Sequence, residues 1–295
     1  KMLMEVMTDN PQVVALDGDL SYDTGTHLAR HLFPDRYIQA GIAEQDMVST
    51  AGTLALSGYL PIVHSFATFL TMRATEQIFN NATEYSRIIY LGFLAGLVPS
   101  APGFSHQAVT DVGIMSSIPG MRVFEPSCAM ELRWALSQAQ IHPGPSYIRM
   151  GGLSPTDEAQ DGAAADSMVV RAPGEKVAFV SSGPLLTNAA LEARDALMET
   201  KGFHSAVYTI PEITGSGLDL AVSVLSDYEL IVVLENYNPA LGKYTLLEKA
   251  LAAAGRSKVI RLGLEGIPAN GQPAEVLAHH GLDVPSIVSA VAASL

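Results

Sequence analysis

Gly41-Ile42-Ala43-Glu44-Gln45-Asp46-Met47-Val48-Ser49-Thr50-Ala51-Gly52-Thr53-Leu54-Ala55-Leu56-Ser57-Gly58 is the stretch around which the rest of the chain is organised. It follows a short β-like run, Arg36 to Gln39, and Gly41 opens a helix. Met47, Val48, Ala51, Leu54 and Ala55 recur at spacings of three and four, a stripe that predicts burial against a sheet. Glu44 then falls in the first turn, where the partial positive charge of a helix N-terminus accommodates a carboxylate. On spacing alone it reads equally well as a capping acid or as a functional group.

Upstream, Met2 to Met7 reads as the end of a helix, and Val13-Val14-Ala15-Leu16 is a compact apolar run suited to a buried parallel strand. The loop from Asp17 to Gly25 leaves the C-terminal end of that strand, where ligands gather in open α/β sheets. Downstream, strands are predicted at Pro61 to His64, Ile88 to Phe93, Met121 to Phe124 and Ser146 to Arg149, with helices at Phe69 to Ala82 and Ala129 to Gln140. Residues 153–170, rich in Gly, Ala, Asp and Pro without apolar period, read as a linker. A second unit follows, with strands at Val177 to Ser181, Ser205 to Ile210, Leu230 to Leu234 and Val259 to Leu262. Its helices are expected near Leu186 to Glu199, Leu218 to Leu225 and Leu241 to Ala254, and then at Pro273 to His280 and Pro285 to Ala293. Alternating strands and helices imply an α/β protein of two domains, 1–152 and 171–295, each a mostly parallel sheet flanked by helices.

Composition bounds the function. The 295 residues are 48% hydrophobic and 16% charged, which is globular, and the net charge of -13 disfavours nucleic acid or an anionic membrane as partner. The single cysteine, Cys128, excludes an intrachain disulfide and fits a reducing cytoplasm. Lys1 to Met7 is too short for a signal peptide, and a start at Lys rather than Met leaves room for residues ahead of it.

Gly41-Ile42-Ala43-Glu44-Gln45-Asp46-Met47, with the small-residue helix behind it, resembles the pyrimidine-binding domain of transketolases and 1-deoxyxylulose-5-phosphate synthases. The resemblance runs on through the linker into the small C-terminal domain, so the whole chain is similar to the C-terminal part of a transketolase. It implies thiamine diphosphate as cofactor, with Glu44 hydrogen-bonded to a ring nitrogen of its aminopyrimidine. The resemblance assigns Phe69, and after it Phe66, to stacking on that ring, a task for which flat apolar area is suited. Gly103-Phe104-Ser105-His106-Gln107 is similar to the family's Gly-Pro-Thr-His-Gln, which implies that His106 handles protons of the donor sugar. Asp19, in Asp19-Leu20-Ser21, matches an aspartate at the cofactor and subunit contact. Arg149, in Tyr147-Ile148-Arg149-Met150, matches an arginine that holds substrate phosphate through its planar fork. Arg73 lies near an active-site arginine of the synthases, or simply pairs with Glu76 on its helix surface. His64 is either a neighbour of the substrate or a buried histidine satisfied within the core.

Three departures matter. The family's acidic residue before the Gly-x-x-His-Gln motif is replaced by Ser100-Ala101-Pro102, and its upstream histidine by Leu94 and Ala95, which leaves the donor sugar open. Asp23-Thr24-Gly25 stands where the family has a phosphate-binding serine; a carboxylate there predicts an acceptor that is unphosphorylated or held differently. Finally, the Gly-Asp-Gly motif and following asparagine that hold Mg²⁺ and the diphosphate are missing, since Asp17-Gly18-Asp19 has no asparagine at the matching distance. The resemblance therefore implies an N-terminal, diphosphate-binding partner subunit that ligates Mg²⁺, a heterotetramer of two plus two, and transfer of a two-carbon ketol unit between sugars or sugar phosphates. A 2-oxo acid decarboxylating or deoxyxylulose-phosphate-synthase-like subunit and a non-catalytic regulatory subunit are the alternatives.

Overall fold

Helix α1 (Met2–Asp9) leads into strand β1 (Val13–Asp17), which is buried along its whole length. The computed structural model describes residues 1–151, 168–214, 218–239, 244–254 and 258–295. After β1 come α2 (His27–Leu32), β2 (Tyr37–Gln39), α3 (Glu44–Leu56), β3 (Leu60–Phe66), α4 (Ala67–Arg73) and α5 (Thr75–Thr83). Then follow β4 (Ile89–Ala95), α6 (Asp111–Ser116), β5 (Arg122–Phe124), α7 (Ala129–Ile141) and β6 (Ser146–Gly151). The six strands are all parallel, in the order β2-β1-β3-β4-β6-β5.

Period-two alternation sorts the strand side chains between two cores. Val14 and Leu16 of β1 meet Met47, Val48 and Ala51 of α3 on one face, while Val13 and Ala15 face α1, α2 and α7 with Met7, Ala29 and Leu136. The stripe read in the sequence is thus the buried side of α3. Gly41 is not its first residue, because at φ +72 it makes the turn out of β2 and the helix starts at Glu44.

The single helix expected at Phe69 to Ala82 is two, broken at Ala74. The second piece packs close against α3, where the Asn81 side chain occupies the space a Cβ on Gly52 would need and donates to the Val48 carbonyl at 2.8 Å. The short helices α2 and α6 were not foreseen, since neither is long enough to show a period.

The second unit contains β7 (Val169–Ala172), β8 (Val177–Ser181), α8 (Pro184–Lys201), β9 (Ala206–Thr209), α9 (Leu218–Leu225) and β10 (Leu230–Glu235). It ends with α10 (Tyr244–Ala254), β11 (Lys258–Gly263), α11 (Pro273–His279) and α12 (Val284–Ser294). Its sheet runs β11-β10-β8-β9-β7, parallel except for β7, which lies antiparallel on β9. Most of the expected linker lies outside the described residues, and its last two positions, Val169 and Val170, belong to β7. The stretch Pro273–Ser294 is apolar enough by composition to cross a membrane. Gly281, at φ +68, instead breaks it into α11 and α12, and the buried Ile287 and Val291 pack with Leu186, Ala190 and Leu197 of α8.

Candidate active site

Because every strand of the first sheet points the same way, the loops after β1, β2, β3 and β4 all leave from one edge. The chain after β2 turns through Gly41 into α3, so Glu44 stands at the helix start, 5% exposed, with its carboxylate in a favourable end of the helix dipole. β3 passes directly into α4, placing Phe66 at the junction and Phe69 in the first turn. The loop after β4 carries His106, whose amide donates to the Gly103 carbonyl at 2.9 Å.

These segments converge. The Phe69 and His106 rings meet edge-on with centroids 5.1 Å apart, Phe66 lies 5.5 Å from Phe69, and Phe66 lies 6.1 Å from His106. Arg73, in the last turn of α4, sets its guanidinium 4.0 Å over the centre of the Phe69 ring and donates from Nη1 to Glu44 Oε1 at 2.7 Å. A cleft of about 490 Å³ opens beside this group, lined by Ile42, Ala43, Glu44, Gln45, Asp46 and Arg73. A more enclosed cavity of about 270 Å³ lies under α1, but its walls, among them Met2, Leu91, Phe93 and Leu136, are apolar and bring no acid or histidine with them.

The residues of the first sheet, 1–152, match the family model described as transketolase, pyrimidine binding domain. The chain belongs to that family. One subunit of an apulose-4-phosphate transketolase from Actinobacillus succinogenes is 29% identical over 87% of this chain and 84% of its own length. A 1-deoxy-D-xylulose-5-phosphate synthase from Aromatoleum aromaticum is 28% identical over 98% of this chain, which spans 46% of that protein. A solved split gene transketolase, described as an inactive beta4 tetramer, superposes with a TM-score of 0.84 at 28% identity, covering 98% of this chain and 94% of that one. The chain is therefore a C-terminal transketolase subunit, with a pyrimidine-binding domain and the family's C-terminal domain in sequence.

Among the other transketolase-like positions, Asp19 stays exposed at φ +66 in the loop after β1, where Gln39 Nε2 donates to it at 3.2 Å and to Asp17 at 2.9 Å. His64 is fully buried in β3, its Nε2 3.1 Å from Thr26 Oγ1, 3.2 Å from the Tyr37 hydroxyl and 3.5 Å from Asp17. Burial pushes its pKa down to about 4, against the pull of Asp17. His64 is thus a neutral core histidine, and no surface of it is offered to a substrate.

Arg149 is the clear correction. It is fully buried, donates from Nε to Asp111 Oδ2 at 2.8 Å and pairs through Nη1 with Glu125. Its Nη2 reaches the Ala108 and Asn236 carbonyls, both at 3.0 Å, and the guanidinium lies over the Tyr237 ring. The same planar fork that suits phosphate here engages two carboxylates and two carbonyls with four of its five N–H groups, fully buried, so it fastens the two sheets and presents no surface to a substrate phosphate.

The role of the second domain at the site was missed as well. Gln107 Nε2 donates to the Leu97 and Ala269 carbonyls, both at 3.0 Å, Ser100 Oγ donates to the Gly271 carbonyl at 2.8 Å, and Asn236 Oδ1 accepts from Leu97 N at 2.9 Å. The loop that carries His106 is therefore sewn to the C-terminal domain. Only the tertiary contact shows what Asn236 holds.

Proposed function

We propose that this chain is the pyrimidine-holding half of a two-subunit, transketolase-like enzyme that moves a two-carbon ketol unit from a ketose to an aldose with thiamine diphosphate. The observation carrying this reading is the single surface shared by Glu44, Arg73, Phe69, Phe66 and His106. The residues fit an aminopyrimidine: an almost buried carboxylate at a helix start stands beside an aromatic wall and an open cleft. Bound there, thiamine diphosphate supplies a nucleophilic carbon, a chemistry that side chains lack.

Glu44 would hold a ring nitrogen through a hydrogen bond, Phe69 and Phe66 would cover the ring and exclude water, and His106 would give and take the proton of a sugar hydroxyl. A histidine suits that last task because its charge changes near neutral pH. The diphosphate and Mg²⁺ are assigned to an N-terminal partner subunit in a two-plus-two assembly, in keeping with this chain's likeness to one subunit of a two-part transketolase and to a split gene transketolase. With Arg149 engaged inside the protein and Asp23 exposed in the β1 loop, the acceptor is proposed to be unphosphorylated or held by other groups. Steady-state kinetics with free and phosphorylated aldoses test this, and a clear preference for the phosphorylated ones would refute it. A buried Cys128 and the absence of other cysteines support a cytoplasmic setting.

The test is turnover after reconstitution with the N-terminal subunit. Glu44→Gln is expected to lower it by roughly 100-fold or more, as loss of a proton-handling group does. Unchanged turnover would identify a scaffold subunit, carbon dioxide release from pyruvate would favour the decarboxylating alternative, and turnover by the chain alone would remove the need for a partner.

A further inference from the structure

Arg73 does two things at once. Its guanidinium carbon lies 4.0 Å over the centre of the Phe69 ring, and its Nη1 donates to Glu44 Oε1 at 2.7 Å. An aminopyrimidine held by this site would need the same two partners, a stacked face on Phe69 and a donor or acceptor bond to the Glu44 carboxylate. Both groups are planar, delocalised and nitrogen-edged, and the two cannot occupy the same face of the Phe69 ring at once, while each also bonds the Glu44 carboxylate.

We propose that Arg73 is a built-in stand-in for the aminopyrimidine, a latch that closes the ring site in the unassembled chain and swings out when the ring enters. This rests on the proposed function, since it takes Glu44 and Phe69 as the ring's partners. The latch satisfies Glu44, which is 5% exposed and would otherwise be a desolvated carboxylate without a cation. The exit is open, because the Arg73 side chain is 46% exposed and borders the 490 Å³ cleft. The backbone stays behind when the side chain leaves: Gln45 Nε2 donates to the Arg73 carbonyl at 3.1 Å, independently of the guanidinium. A site closed for most of the time binds more weakly by the fraction of time it is open. The unassembled chain therefore discriminates against the cofactor, and the discrimination is set by one side chain rather than by the fold.

The probe is the uncharged fragment 4-amino-5-hydroxymethyl-2-methylpyrimidine, which removes any attraction between Arg73 and the diphosphate. Its affinity is measured by calorimetry on the full chain and on Arg73→Ala, Arg73→Lys and the double variant Glu44→Gln/Arg73→Ala, with melting curves confirming that each folds. Arg73→Ala is expected to bind roughly tenfold tighter than the parent chain. Arg73→Lys, which keeps the charge but loses the planar guanidinium over the ring, should fall between them, and the double variant should lose the gain. Binding to Arg73→Ala that is undetectable, or no tighter than to the parent chain, overturns the latch. Glu44-dependent binding that ignores Arg73 overturns the latch alone and leaves the proposed function standing. A gain on Arg73→Ala that survives Glu44→Gln removes Glu44 as the ring's partner, and the proposed function goes with it.

Discussion

Arg149 Nε donates to Asp111 Oδ2 at 2.8 Å inside a fully buried network that joins β6 to α6 and, through the Asn236 carbonyl, to the second domain. Removing one member of such a network leaves uncompensated charge in a medium that cannot solvate it. Arg149→Met, which strands Asp111 and Glu125, is expected to destabilise the fold by about 3–5 kcal/mol. Urea denaturation monitored by circular dichroism reads this directly. A variant that keeps its midpoint and shows only a raised KM for phosphorylated sugars would restore the phosphate-binding role.

His64 makes stability fall in mild acid. Its folded pKa, about 4, lies below the ordinary value of 6.5, so between these values the unfolded chain takes up a proton that the folded one refuses. The contribution is complete above roughly pH 6.5 and is lost as the pH falls toward 4, up to about 3 kcal/mol. Glu235 acts in the opposite direction, since burial raises it to about 7 despite Arg261, and its share is lost as pH rises. The comparison that isolates His64 is therefore the difference between the parent chain and His64→Gln in unfolding free energy at pH 4.5 and pH 7. A difference that does not change with pH would mean that His64 titrates in the folded chain as it does in the unfolded one.

His106 is half-buried on a loop and shares its Nδ1 with Ser105 Oγ at 3.0 Å. Its removal leaves little packing behind, so His106→Ala should lower kcat of the reconstituted enzyme by about 100-fold while the melting temperature of the chain stays within a degree or two of the parent. A drop in melting temperature with kcat unchanged would make it a structural residue.

Gln107 is a buried amide that donates one bond to the Leu97 carbonyl of its own loop and one to the Ala269 carbonyl of the second domain. Gln107→Ala leaves the Leu97 and Ala269 carbonyls unpartnered, an expected cost of about 1–3 kcal/mol by denaturation. Because the neighbouring His106 loses its support, kcat should fall more than KM rises. Stability loss without any change in kcat would show that the seam between the domains does not aim His106.

The architecture was legible because its cause is local. Val13 to Leu16 is apolar at every position, α3 repeats its stripe at three and four, and neither pattern needs the rest of the chain to be read. Glu44, Phe69 and His106 could likewise be named from their motifs, and they meet because parallel strands bring their loops to one edge. What one residue does with its charge was not local. Arg149 looks like a phosphate fork until Asp111, Glu125 and Asn236, remote in the chain, engage it, and Arg73 looks like a surface partner of Glu76 until Phe69 and Glu44 take it. Hydrophobic period is a property of neighbours along the chain, whereas the partner of a desolvated charge is decided by whichever group folding brings within hydrogen-bond reach.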